Sequence, residues 1–202
     1  MPLYVGAQNT STTVAAGGGG GAWEVIATTN FNSSSAAYSE NKGWDNTTYS
    51  LVKAVMGGVS SGSWQNTLVA IQFYSDSTNG NDGTLQTAEE YKWSETRKTY
   101  SSSSDTSASG ENTFWKISGN SGKNWAGEIY FPMKYHQDSN DTPSACYAQL
   151  WQQYSYIQSG CINEDVSYNF LTGARIGQYS GTSMSTSINW TKGYIQWLGL
   201  KL

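Results

Sequence analysis

Leu68-Val69-Ala70-Ile71-Gln72-Phe73-Tyr74 decides the fold class. Val69, Ile71 and Phe73 share one face and Gln72 falls on the other, because side chains of an extended chain alternate sides. The stretch is therefore predicted as a strand with one apolar face. Just beyond it, Asn79-Gly80 and Asp82-Gly83 supply residue types that tolerate positive φ and mark a loop.

The same reading holds in both directions. Residues 23–28 open the domain, and residues 50–55 follow, stopped by Gly57-Gly58. Residues 91–100 alternate Tyr91, Trp93, Glu95 and Arg97 against Lys92, Ser94, Thr96 and Lys98, the pattern of a solvated outer strand. A serine-rich loop is predicted over 101–110, then strands over 113–117 and 128–131. Pro132 ends the latter, since it cannot continue a central ladder. Residues 145–151 and 154–158 flank Gln152-Gln153 as a hairpin, and 170–176 and 194–202 close the chain. About ten strands with turn signals between them, and no amphipathic helix or repeat, predict an all-β chain. The expected architecture is one antiparallel β-sandwich or jelly roll over 22–202, preceded by an extended arm over 1–21.

Composition agrees. Eleven basic and 15 acidic side chains stand beside 9 Trp, 14 Tyr and 5 Phe, where a disordered chain has few aromatics and many charges. A net charge of -4 argues against a nucleic-acid binder, which needs a basic face to meet phosphates. No run approaches a membrane span, and the start Met1-Pro2-Leu3 has no basic or apolar leader, so a secretion signal is not expected. The aromatics exceed what a sandwich core needs. Tyr and Trp favour surfaces that are half apolar and half wet, which makes the surplus a pointer to binding; paving of strand edges and loop bases is the plainer explanation.

Motifs for chemistry are sparse. Cys146 and Cys161 are the only cysteines and His136 is the only histidine, too few for a disulfide scaffold or a zinc site. The two cysteines sit on either side of the predicted hairpin, where they either pair across strands or remain buried thiols, the latter being favoured without a secretion signal. Asp76, Asn79, Asn81 and Asp82 offer oxygen donors but miss the spacing of known calcium loops, and read as a polar turn. Small jelly-roll xylanases share the size and the Trp, Tyr, Asn, Ser and Gly bias. Retaining glycosidases use two carboxylates across a cleft, for which Glu90 and Glu128 are the candidates. Neither lies in a match to the Glu-Gly motif of those enzymes, so no catalytic residue, metal or cofactor is expected.

Residues 10–21 form a low-complexity stretch ending in Gly17, Gly18, Gly19, Gly20 and Gly21. Glycine runs carry nothing to pack and cost entropy when ordered, so the arm is a tether or a strip laid against a partner, with Tyr4-Val5 as its anchoring strand. No Lys-Ser/Thr or spaced Gly-x-Gly pattern accompanies the glycines, which argues against a phosphate cradle.

Tyr168 to Ile176, the Ser/Gly/Thr spacer 179–187, and Lys192-Gly193-Tyr194-Ile195-Gln196-Trp197-Leu198-Gly199-Leu200-Lys201 together resemble the closing motif of β-sandwich virion proteins of tailed phages, marine and cyanobacterial ones especially. The Gly-rich arm before Trp23-Glu24-Val25-Ile26 is similar to the opening of that group. Trp197-Leu198-Gly199 departs from its common Leu-Tyr-Gly.

The last strand is apolar on both faces, with Tyr194, Leu198, Leu200 and Leu202 on one and Ile195 and Trp197 on the other. Such a strand is central or covered by a neighbouring subunit. Tyr194, Trp197, Leu200 and Leu202 are accordingly the candidate subunit contacts. Gly193 and Gly199 are placed for a bulge or a close approach.

The resemblance implies a non-enzymatic structural protein on the virion exterior, assembled in the host cytoplasm. A homotrimeric capsid decoration (cement) protein is the first expectation, with the arm, through Tyr4, Val5 and Gly17 to Gly21, attaching to other virion proteins. A tail or fibre receptor-binding protein recognising host glycans is the second, and a secreted lectin or hydrolase the third.

Overall fold

Period-two apolar patterning, broken by glycine-rich and polar turns, folds the described residues into strands without a helix. The computed structural model describes residues 22–32, 37–61, 69–88, 91–99, 105–117, 124–133, 145–152, 155–163, 169–180, 183–185 and 188–202. The arm 1–21, with Tyr4, Val5 and the five glycines, lies outside the described residues, as do Glu90 and His136.

Fourteen strands occur among the described residues: β1 (Trp23–Asn30), β2 (Tyr38–Lys42), β3 (Tyr49–Ser61), β4 (Val69–Asp76), β5 (Thr84–Leu85), β6 (Tyr91–Thr99), β7 (Asp105–Asn112), β8 (Trp115–Ile117), β9 (Trp125–Pro132), β10 (Ala145–Gln152), β11 (Ser155–Asn163), β12 (Phe170–Ser180), β13 (Ser183–Met184) and β14 (Trp190–Lys201). They pair antiparallel into two sheets that pack as a β-sandwich. The large sheet has the order β1-β14-β3-β9-β10-β11-β6-β7. The small sheet centres on β12 and β4; β13 and β2 pair with β12, and β5 and β8 with β4.

An aromatic cluster joins the sheets. Trp44, in the loop between β2 and β3, lies 5.2 Å from Phe131 of β9 and 5.8 Å from Trp197 of β14, ring centre to ring centre. Phe73 of β4 meets Phe131 edge-on at 6.1 Å and Tyr91 of β6 at 5.2 Å. Each ring is buried, contributing about 1.5–3 kcal/mol by removal from water. Their polar atoms are bonded as well. Tyr91 accepts from the Phe73 amide at 2.6 Å and donates to Gln86 O at 3.0 Å, occupying the stretch of β4 edge between β8 and β5. Trp197 donates to Ser39 Oγ and Trp115 to Ser159 Oγ, both at 2.9 Å.

β4 forms with Val69, Ile71 and Phe73 in the core as expected, and its other side is covered too, since Phe114 and Tyr179 pack on Ala70 and Gln72 donates to Thr113 O at 3.1 Å. Three expectations are corrected. β6 is no solvated strand: it lies between β11 and β7, with Tyr91, Trp93 and Glu95 buried and only the opposite face wet. The described part of the serine-rich segment, residues 105–110, is strand throughout, because β7 needs only backbone bonds to β6 to form the edge. Gly57-Gly58 does not stop β3, which bulges there and runs on to Ser61. Gly80 and Gly83 do adopt positive φ in the polar turn after β4.

Candidate functional site

Among the described residues, seven of the eight exposed large apolar side chains project from one surface, the outer face of the large sheet. They are Trp23 and Val25 of β1, Tyr147 and Trp151 of β10, Tyr156 and Ile162 of β11, and Tyr194 of β14. The eighth, Leu202, follows β14. Strand register explains the concentration. Val25, Leu198, Lys53, Tyr130, Tyr147, Gly160, Ser94 and Ser109 stand side by side across the eight strands, and residues so aligned share a face.

This row changes chemistry along its length. Over β1 and β14 it is apolar, through Val25 and Leu198, and the neighbouring row Trp23, Leu200, Leu51 and Pro132 is apolar too. In the middle is a charged clasp. Lys53 Nζ bonds Glu128 Oε1 at 2.9 Å and lies over the Trp23 ring at 4.6 Å and the Tyr130 ring at 5.7 Å. The Tyr130 hydroxyl donates to the other Glu128 oxygen. Partial burial pulls the Glu128 carboxyl up, but the bonds from Tyr130 and Lys53 and the lysine charge outweigh it and hold the group below its usual 4.5. A carboxylate held ionised is unsuited to act as a general acid.

Beyond the clasp, Tyr130 and Tyr147 stack with centroids 4.8 Å apart and planes within 1°. Two adjoining grooves of about 630 and 780 Å³ then open over β6, β7, β10 and β11. Tyr147, Ser94, Ser109 and Gly160 line both. At the end of β10, Trp151 stands opposite Tyr156, whose hydroxyl accepts from Gln149 Nε2 and, at 3.0 Å, from Gln158 Nε2.

The candidate subunit contacts divide. Tyr194 faces outward across Gly57, where a side chain would collide with its ring, and Leu200 lies between Trp23 and Leu51 in register. Trp197 faces the core and is fully buried, out of reach of any neighbour of this fold. Gly193 sits in a bulge opposite Gly57-Gly58, and Gly199 leaves room for the Tyr49 ring. Cys146 and Cys161 are directly opposed in register on the buried side of β10 and β11 and are free thiols, whose ionisation burial pushes up. The loop donors are used internally: Asp76 accepts from the Thr78 amide at 2.7 Å, and Asn79 donates to Asp45 at 2.5 Å. No cluster that could hold a metal occurs among the described residues.

No family model matches the chain, and neither does any curated protein or solved structure.

The sequence reading passed over Lys53, Tyr130, Tyr147, Trp151 and Tyr156. The signal was present in β10, where Cys146, Ala148 and Leu150 alternate with Tyr147, Gln149 and Trp151. Aromatics at the positions where a half-buried strand carries polar residues mark a surface built for contact.

Proposed function

We propose that the chain is a non-enzymatic structural protein of a virion exterior, a capsid decoration protein assembled as a homotrimer. The observation that carries this reading is the gathering of exposed apolar side chains on the outer face of the large sheet, where Trp23, Val25 and Tyr194 adjoin the half-buried Leu51, Leu198 and Leu200 over β1, β14 and β3. Isolated exposed apolar residues are ordinary on any surface; a contiguous set rimmed by polar groups is a contact surface. Trp23, Val25, Tyr194, Leu198 and Leu200 would meet the neighbouring subunit, and the arm 1–21 would reach other virion proteins. The terminal motifs supply the virion setting.

Gold-tagged antibody on purified phage particles tests this reading. Many gold particles over the head are expected, and a chain beginning at Ala22 should fold yet fail to join them. Unlabelled particles would overturn the assignment, and gold confined to the tail would move it to a receptor-binding role.

A further inference from the structure

We propose that the groove over β6, β7, β10 and β11 binds a neutral glycan chain, with Tyr147 as its stacking platform. This site lies on the opposite half of the outer face from the assembly surface and does not depend on it.

Tyr147 is held in place from one side. Tyr130 stacks flat against it, and Tyr130 is itself fixed by the Glu128 bond and by Lys53. On its other side the register neighbour is Gly160, which has no side chain to fill the space. A Cβ built there would meet only the Cys146 carbonyl oxygen, at 3.8 Å. The result is a 47% exposed ring, propped from behind, with an open floor in front. Ring faces carry negative charge density and favour the weakly positive C–H groups of a pyranose face.

The rest of the groove suits hydroxyl-rich ligands. Ser94, Thr96, Ser107, Ser109 and Gln158 line it with uncharged donors and acceptors. The carboxylate of Glu95 belongs to the buried side of β6. Lys92, at one end, is the one basic residue lining the grooves, which is too little for a polyanion in a chain of net charge -4. Tyr147 and Ile162 give the groove an apolar side, and the small floor of Gly160, Ser94 and Ser109 beside it adds hydroxyls, the pairing of ring face and polar partners that a sugar chain uses. Trp151 adds a second aromatic position on the same face of β10. It lies four residues from Tyr147, roughly 14 Å at about 3.4 Å per residue, so the two can span several sugar units.

The full chain, labelled and applied to a printed array of neutral and anionic bacterial, algal and plant glycans, tests the proposal. Binding to neutral chains is expected, with hits confirmed by native electrophoresis in gels holding the soluble polysaccharide. Tyr147→Ala should weaken retardation at least tenfold. Gly160→Val should do the same by filling the floor while leaving the ring in place. Silence across the array, retention by anionic glycans alone, or binding that survives both groove variants would overturn the site. Failure here leaves particle labelling untouched, so the two readings fall separately.

Discussion

Glu40 gathers three donors on one oxygen: Arg175 Nε at 2.9 Å, Arg175 Nη2 at 2.8 Å and the Tyr74 hydroxyl at 2.5 Å. Arg175 also lies 4.1 Å above the Tyr38 ring, which secures the guanidinium on the outer side of the small sheet. Partial burial raises the Glu40 carboxyl, and the bonds from Tyr74 and Arg175 bring it below 4.5 despite that. A carboxyl depressed in the fold contributes stability that is present above 4.5 and lost as pH falls through the folded value. Tyr49 acts at the alkaline end. Its bond to Glu24, with burial, pushes the phenol from 10.0 up to about 12, so stability falls as pH rises through that window. Glu40→Gln should cost about 2 kcal/mol at neutral pH, the scale of hydrogen bonds to a charged group. It should also flatten the acid limb. Urea denaturation at a series of pH values checks both, and an unchanged midpoint would mean the network adds nothing to stability.

Strands of this sandwich are shaped by glycines where neighbouring backbones close in. Gly127, in the middle of β9, has φ 131°, and a Cβ there would collide with the Gln149 carbonyl and lie 2.9 Å from Leu150 Cα of β10. Gly58, at the β3 bulge, has φ 63° with nothing within 4 Å of its would-be Cβ. Gly127→Ala should therefore cost about 3 kcal/mol or more, combining strain with a backbone clash. Gly58→Ala should cost about 1–2 kcal/mol, from the left-handed conformation alone. Thermal melts of the two variants, compared with the parent, read the difference, and equal losses would contradict the assigned packing. Most strands were legible from alternation, as in β4 and in the β10–β11 hairpin. β7 was not, because an edge strand of Asp, Thr, Ser, Ala, Gly, Glu and Asn carries no apolar face to read and exists through backbone bonds to β6. The loop-like look of residues 101–110 follows from the same chemistry.

The two faces of the sandwich are unequal. The small sheet covers its outer side with Phe114, Tyr179 and the Glu40–Arg175 network, whereas the large sheet leaves Trp23, Val25, Tyr147, Trp151 and Tyr156 open. The final strand betrayed part of this in the sequence, since apolar residues on both its faces required a cover on each. One cover is the core, reached by Ile195 and Trp197; the other is the outer surface shared by Tyr194, Leu198 and Leu200. The groove beside Tyr147 was hidden because its floor depends on register, which sets Gly160 between Tyr147 and Ser94. Local alternation does not reveal which strands become neighbours. Assembly through the β1–β14–β3 half is the central claim, and light scattering during size-exclusion chromatography of the full chain tests it most directly. The predicted mass is three times the 22.0 kDa chain, falling to a single chain in Leu200→Glu with an unchanged circular dichroism spectrum. A parent protein that stays at one chain mass at every concentration, or a Leu200→Glu variant that keeps the parent's mass, would contradict it.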